Sequence, residues 1–459
     1  MLQAAAAAPC GWARNSDRQC AWRNSRPTVP TQRHGVASRW VRGHELRNPL
    51  PETRMIETDF DIVSPAFHAD PARTLERIRA TGGPLVRMKL PILGKMLLCV
   101  SHEACGAMLK DKETFVRDPA NAGSLTQERI IRILPRSLGL LALNMLGKDD
   151  PEHRHLRGLV DQAFQRRGIQ AMRPMITAVA DQLLDGFENR REVDLMEGFC
   201  RDLPLSVICA MLGLPDKDHE RFKRWLGGLS DTANIGAVVR AIPGVLSVVR
   251  YLRKVARPDG GAKPDGLIFA LQDAEINGRK LSEDEIVSMV FLLFGAGQET
   301  TTHLIAGGFL EILRHDDQRH RLQADPAMMP LCVEECLRQV SPVQLTKPRW
   351  ATKDIVFAGH QFRRGDSVAG FLTAANRDPA QYDDPHRFDI TRHPNPHLSF
   401  GTGVHFCLGF QLARAEAAIA FERLLARFPD IRLAVDPSSL VWRKRVGIRT
   451  LAQLPVKLS

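Results

Sequence analysis

The 459-residue sequence contains no run of 18 apolar residues, so no transmembrane helix is expected. Paired cysteine spacings are also missing. Nine cysteines lie scattered, an odd number in a long chain, which argues against a metal finger and against a disulfide scaffold. A reducing, cytoplasmic setting is the expectation. Cys332 and Cys336 share a helix face, but no second pair follows, and they read as core residues. No internal repeat occurs, and no low-complexity tract lies beyond the first residues.

Residues 1–54 are poor in acids and lack apolar periodicity. Nine arginines stand against Asp17, Glu45 and Glu52, which is more than half of the chain's net charge of +11. With five prolines and no apolar face, this leader is expected to be disordered. Its Ala4–Ala8 run is too short for a signal core. Two readings stay open: an Arg-rich organelle leader, or an over-extended start with Met55 as the working initiator. Residues 55–459 are expected to form one domain. At 44% apolar and 25% charged residues the chain has an ordinary globular composition, and it is long enough for a large core.

What is present is mostly helical. Residues 71–81 read as a helix with Pro71 in its first turn. Residues 84–100 read as a hairpin turning at Gly94. Leu138, Leu140, Leu141, Leu143 and Leu146 mark an apolar loop-and-helix stretch. A helix starts at Asp150-Pro151, with His153 and Arg157 four apart on one face. Taken alone, that face is an ordinary basic surface. Helices follow over 171–187, 196–212 and 218–227, then an apolar and basic stretch over 234–257 interrupted by Pro243-Gly244. That stretch reads as a packed helix pair in preference to a membrane-contacting element.

Ser282-Glu-Asp-Glu285 is a capping box opening a helix to about His315, roughly 50 Å long. It is apolar on nearly every face from Val287 to Ala296, so it crosses a protein interior. Its middle, Gly295-Ala-Gly-Gln-Glu-Thr-Thr-Thr302, is poor helix interior. The bland reading is a flexible turn. The sharper one is a helix locally opened where small residues admit a ligand. Glu335 and Arg338 are an i,i+3 pair, a weak signal alone. Residues 349–368 read as a small β region turning at Gly365-Asp366, and residues 440–456 as short strands around Gly447.

Near the C-terminus a glycine-rich loop with Gly401 and Gly403 leads through Cys407 into a helix over 408–426. A cysteine at a helix entrance meets free N–H groups and the positive end of the dipole, both of which favour a thiolate, a soft metal ligand. A lone cysteine is more often a buried structural residue. This one lies in Phe400-x-x-Gly403-x-His405-x-Cys407-x-Gly409, which resembles the haem loop of the cytochrome P-450 monooxygenases. The resemblance runs from about residue 55 to the C-terminus and includes four motifs in family order: His-x-x-x-Arg, Ala-Gly-x-Glu-Thr, Glu-x-x-Arg and the Cys loop.

The resemblance implies a mainly α fold with small β-sheets, a triangular helical prism with haem b between the long distal helix and the Cys loop. It implies Cys407 as iron ligand. His153, Arg157, Arg349 and His405 would hold haem propionates. Phe400 would pack near the thiolate, Gly403 and Gly409 would make room, and Ala296 would lie on the distal haem face. Glu299 and Thr300 would be the acid–alcohol pair of proton delivery. Glu335, Arg338 and Arg387 would form a buried structural network. Phe294 and Val343 would line a pocket for an apolar substrate, roofed by the leucines of residues 138–146. The activity implied is insertion of one oxygen atom of O2 into an apolar organic substrate, by hydroxylation or epoxidation. Electrons would come from NAD(P)H through a separate ferredoxin and ferredoxin reductase. A monomer is expected, and nothing marks a nucleic-acid partner. A peroxygenase or oxidative dehydratase on the same fold, or a non-catalytic haem sensor, are the alternatives. The retained Glu299–Thr300 pair argues against both.

Overall fold

The structure is a computed structural model that describes residues 57–58, 60–91, 94–123, 139, 141, 144–165, 168–215, 218–226, 235–257 and 259–458. The leader, and Leu138, Leu140 and Leu143 of the expected pocket roof, lie outside the described residues. In chain order the helices are α1 (Pro65–Ala69), α2 (Ala72–Ala80), α3 (His102–Lys110), α4 (Glu152–Gln165), α5 (Ile169–Asp185), α6 (Asp202–Leu212), α7 (His219–Leu226) and α8 (Ile235–Val255). They continue with α9 (Leu267–Asp273), α10 (Glu283–Arg314), α11 (Asp316–Ala324), α12 (Met329–Val340), α13 (Leu372–Ala375) and α14 (Phe410–Arg427).

Helix α10 is the axis of the molecule. Ser282 Oγ accepts from Glu285 N, and the Glu285 carboxylate accepts from Ser282 N, so the expected capping box starts the helix. From there it runs 32 residues, about 48 Å. Helices α6, α8, α12 and α14 pack around it, and their apolar faces merge into one large core cluster. Two glycines let this packing close: a Cβ on Gly307 would press on Val340 at 2.7 Å, and one on Gly308 on Phe421 at 2.7 Å.

Two helices differ from their sequence signals. The run over 196–212 breaks at Glu197 and Gly198, whose φ of +89° is left-handed, and α6 begins only at Asp202. Conversely, α8 runs straight through Pro243-Gly244. A proline removes one N–H bond from a helix, while Val245, Val248, Val249 and Leu252 bury a continuous apolar face that outweighs it. Gly244 is needed for packing, because a Cβ there would collide with the Trp225 carbonyl.

A six-stranded sheet has the order β1 (Glu57–Thr58), β2 (Leu85–Leu90), β3 (Gly94–Cys99), β11 (Ser367–Gly370), β8 (Arg349–Ala351), β4 (Phe115–Val116). The β2–β3 hairpin pairs Leu90 with Gly94, as the sequence predicts. The stretch after β8 turns twice. The hairpin of β9 (Ile355–Phe357) and β10 (His360–Phe362) closes at Ala358-Gly359, and the second turn, at Gly365-Asp366, leads into β11. Strand β5 (Glu192–Asp194) joins β12 (Arg432–Leu433) and β13 (Pro455–Lys457) in a third sheet, and β6 (Glu275–Ile276) pairs with β7 (Arg279–Lys280). Among the described residues no helix is long and apolar enough to cross a membrane.

Behind the Cys loop, Arg338 clamps Glu335 with bonds of 2.8 and 2.7 Å, both side chains being fully buried. Arg338 also donates to the carbonyls of Asn376, Pro385 and Arg387. The second guanidinium belongs to Arg392, 3.5 Å from Glu335, and not to Arg387 as the resemblance implies. Arg387 offers its backbone carbonyl, and Asn395 and the Asp389 N–H complete the shell around the carboxylate. Arg338→Met strands a buried carboxylate and is expected to cost about 3–5 kcal/mol. Arg392→Met removes a longer, partly exposed contact and should cost clearly less in the same thermal or urea unfolding assay.

Candidate active site

The Cys loop is shaped by its glycines. Gly401 and Gly403 have φ of +68° and +75°, and a Cβ on Gly403 would strike the Leu109 carbonyl at the end of α3. Phe406 N donates to Gly403 O, and Cys407 N donates to Phe400 O at 2.9 Å, which sets the thiol just before α14. Around Gly409, the residue capping α14, a Cβ would meet open space. The Arg414 guanidinium lies 4.6 Å over the Phe400 ring and is anchored on Glu334.

Cys407 is half-buried, and burial pushes its thiol pKa up. The backbone bond from Gly409 and the charges of Arg157 and Arg414 pull it down without winning. The helix-entrance argument therefore identifies real forces but misjudges their balance. A bound metal cation would add the positive charge that the loop alone does not supply.

To one side lies a cluster of basic side chains, in which Arg157 faces Asp161 at 3.5 Å and His153 faces Asp150 at 3.6 Å, while Arg349 and Arg117 keep donors without acceptors. Arg349 is 1% exposed; its Nη1 donates to Phe115 O at 3.0 Å, while Nε and Nη2 find no partner among the described residues. Arg117 donates from Nη1 to the carbonyls of Lys347 and Pro348, and its Nε is also unpartnered. Burial, then the nearby Arg349 charge, brings the Arg117 pKa down to about 10. Desolvation, then the Arg117 charge, lowers the Lys347 pKa. The rings of His153 and His405 stand 4.1 Å apart. Burial, then Arg117, pushes the His405 pKa down to about 2, and burial lowers that of His153. Arg157 donates to Phe406 O at 2.6 Å. The adjacent carboxylate, Asp149, spends its oxygens on the N–H groups of Arg117 and Asp118 and on Asn121. Buried donors without acceptors are costly. They fit a ligand that brings carboxylates of its own.

Helix α10 carries an exposed stretch of its own. It is buried before and after, but Gly295 and Ala296 are exposed at mid-length, and a Cβ on Gly295 would meet nothing within 4 Å. An exposed stretch in the middle of a core helix borders an open space. The helix stays unbroken there: Thr300 Oγ1 donates to Ala296 O at 2.7 Å, so the hydroxyl bonds back one turn without opening it. Glu299 is held on both carboxylate oxygens by Arg445. Val343 is half-buried and bridges to Ile448. Phe294, expected in the pocket, is 2% exposed and packs 5.1 Å from Phe222 in the core. Its position on α10 is one step from Gly295, but about 100° around the helix.

Sequence reasoning missed Arg117, Lys347, Arg392 and Arg445. Arg117 had a signal, a charged residue directly after the buried strand Phe115–Val116. The others become visible only through long-range contacts.

Fold and site together define a mainly helical protein with a thiol loop, a cluster of buried cationic donors without acceptors, and an exposed small-residue stretch on its longest helix. The sequence pattern described as Cytochrome P-450 matches residues 245–438. The chain is 40% identical to the polyketide biosynthesis cytochrome P-450 PksS of Bacillus subtilis over 397 residues, covering 86% of this chain and 97% of that one. It is 35% identical to the cytochrome P-450 monooxygenase PikC of Streptomyces venezuelae, covering 87% and 94%. The solved structure of myxobacterial cytochrome P-450 CYP267B1 in complex with myristic acid aligns at a TM-score of 0.80 and 40% identity, over 87% of this chain and 98% of that one. The chain belongs to the cytochrome P-450 family, and it is a haem-thiolate monooxygenase.

Proposed function

We propose that Cys407 Sγ ligates the haem iron and that Arg349, Arg117, His405, His153 and Arg157 receive the two propionates. The observation that carries this assignment is the set of buried, unpartnered guanidinium N–H groups on Arg349 and Arg117, on the same side as the Cys407 loop. Two carboxylates placed there satisfy the donors and balance the excess positive charge. Gly403 and Gly409 leave room for the loop and the porphyrin, and Phe400 screens the sulfur. A haem with a thiolate ligand supplies O2 activation and oxygen insertion when bound.

The chain's own work is to bind, orient and supply protons. The open face of Gly295 and Ala296 would accept the substrate. Val343, with Ile448 beside it, narrows the opposite edge. These walls are apolar, and the substrate proposed is a polyketide or a fatty acyl chain, in keeping with the polyketide pathway named for PksS and the myristic acid bound to CYP267B1. Glu299 takes protons from water and Thr300 passes them toward the pocket, a general-acid relay. Electrons come from NAD(P)H through a separate ferredoxin and its reductase. The protein acts as a cytoplasmic monomer. Binding spectra of the haem-loaded protein against a panel of fatty acids, macrolactones and terpenoids test the substrate class. Tight binding confined to the terpenoids counts against it.

Residues 1–54 are proposed to be dispensable for haem binding. Protein beginning at Met55 is expected to fold and load haem as the full chain does, measured by soluble yield and haem per polypeptide. Loss of haem-loaded protein on that truncation makes the leader a structural part.

A further inference from the structure

The proposed relay acid is gripped by a residue from the far end of the chain. Arg445 Nη2 donates to Glu299 Oε2 at 2.9 Å, and Nη1 donates to Oε1. The side chains are 10% and 24% exposed, so water screens the pair only weakly. A forked guanidinium fixes a carboxylate in position and in plane, which a single N–H cannot do.

The anchor is itself held. Residues 440–451 are tied down by bridges between Trp442 and Leu451 and between Ile448 and Val343, and Gln344 N donates to Gly447 O at 2.8 Å. Gly447 makes the turn with φ of +78°. This segment therefore touches both the pocket wall, through Val343, and the relay acid, through Arg445.

Glu299 and Thr300 are neighbours in sequence, yet successive helix side chains leave about 100° apart. Thr300 turns back to Ala296, on the open edge of α10. Glu299 turns to Arg445. One turn further on stands His303, buried, with its Nδ1 unpartnered among the described residues. Burial, followed by the charges of Arg445, Arg201 and Arg443, lowers its pKa to about 3. Arg445 thus faces both His303 and Glu299.

We propose that Arg445 is the positioning residue for Glu299: it aims the carboxylate so that protons enter α10 at one fixed point beside Thr300. The inference rests on the relay role of Glu299 stated under Proposed function. In each passage a proton from water adds to a Glu299 oxygen and leaves from it toward the Thr300 hydroxyl. Arg445 neither gains nor loses a proton, and nothing is oxidised or reduced in the step. The C-terminal segment thereby couples the shape of the pocket to its proton supply.

The test is a double-mutant cycle on haem-loaded protein with redox partners and a bound substrate. Turnover and product per NADH are measured for wild type, Arg445→Gln, Arg445→Lys, Glu299→Gln and the double variant Glu299→Gln/Arg445→Gln. Arg445→Gln is expected to keep haem content and the carbon monoxide spectrum of wild type while slowing turnover on the order of tenfold through misaiming. Arg445→Lys recovers part of the loss. The double variant is no slower than Glu299→Gln alone, because Arg445 acts through Glu299. Singles whose losses multiply in the double variant show an independent packing role and overturn the proposal, as does wild-type turnover in Arg445→Gln. If Arg445→Gln fails to fold, the neutral double variant and Arg445→Lys still decide. Unchanged turnover in Glu299→Gln removes the relay reading and this inference with it, whereas additivity removes this inference alone.

Discussion

Cys407→His is expected to retain part of the haem and to lose oxygen-dependent turnover altogether. The cradle proposed for the propionates, Arg349, Arg117, His405, His153 and Arg157, is not altered by the substitution. The substituted imidazole is still a metal ligand, so some haem uptake survives. What disappears is the thiolate, whose electron donation favours O–O cleavage. The loop around residue 407 is fixed by the positive φ of Gly401 and Gly403 and by the bond from residue 407 N to Phe400 O, neither of which depends on the side chain. The variant should therefore fold, and its reduced carbon monoxide complex should show an imidazole-type band. Substrate-dependent product formation in this variant at wild-type rate contradicts the role of Cys407.

The second large effect concerns the alcohol and the acid on α10. Thr300→Ala removes one hydroxyl and little volume, and the helix there is intact without it, since the Thr300 Oγ1 bond only supplements the backbone ladder. Haem content and substrate affinity should hardly change. NADH consumption is expected to continue while product falls and hydrogen peroxide rises, because delivery of the proton that commits oxygen to insertion fails. Glu299→Gln should slow the whole cycle, since proton supply itself is impaired. General-acid contributions are commonly on the order of 10²–10⁴-fold. Product per NADH with peroxide assayed in parallel separates the two. Unchanged coupling in Thr300→Ala removes the hydroxyl from the relay and leaves it a packing role.

The parts of the structure that were legible in the sequence are those set by local rules. The capping box at Ser282 states where α10 begins, because both of its bonds lie within four residues. The β2–β3 hairpin and the Cys loop are likewise short-range, fixed by Gly94, Gly401 and Gly403 at positive φ. The errors have one origin in common, which is competition between a local signal and tertiary packing. Pro243 marks a helix end locally, yet the apolar face of α8 carries the helix past it. Arg387 sits at the expected spacing, but chain geometry brings the Arg392 guanidinium to Glu335 and leaves Arg387 accepting from Arg338 through its backbone carbonyl. Phe294 neighbours the open stretch in sequence, and the helix rotation turns it into the core. The Cys407 thiol shows the same competition in energetic form. The helix entrance lowers its pKa as expected, and burial, which no local pattern reports, raises it further than that.

The pairing of Glu299 with Arg445 spans 146 residues and has no sequence signature at all. The glutamate looked like half of an acid–alcohol pair with Thr300, and it is also half of an ion pair with the C-terminal segment. The proximal side is organised in the same way, by charge satisfied at long range. Glu335 is surrounded by Arg338, Arg392, Asn395 and the Asp389 N–H, and only the first of these was visible as a spacing.

The central claim, that Cys407 presents a thiolate to a haem iron, is tested most directly by the reduced carbon monoxide spectrum of the freshly purified, haem-loaded wild-type protein. Ligation by Cys407 predicts the red-shifted band of a thiolate, carried by the great majority of the haem. A wild-type spectrum with the imidazole-type band alone contradicts it.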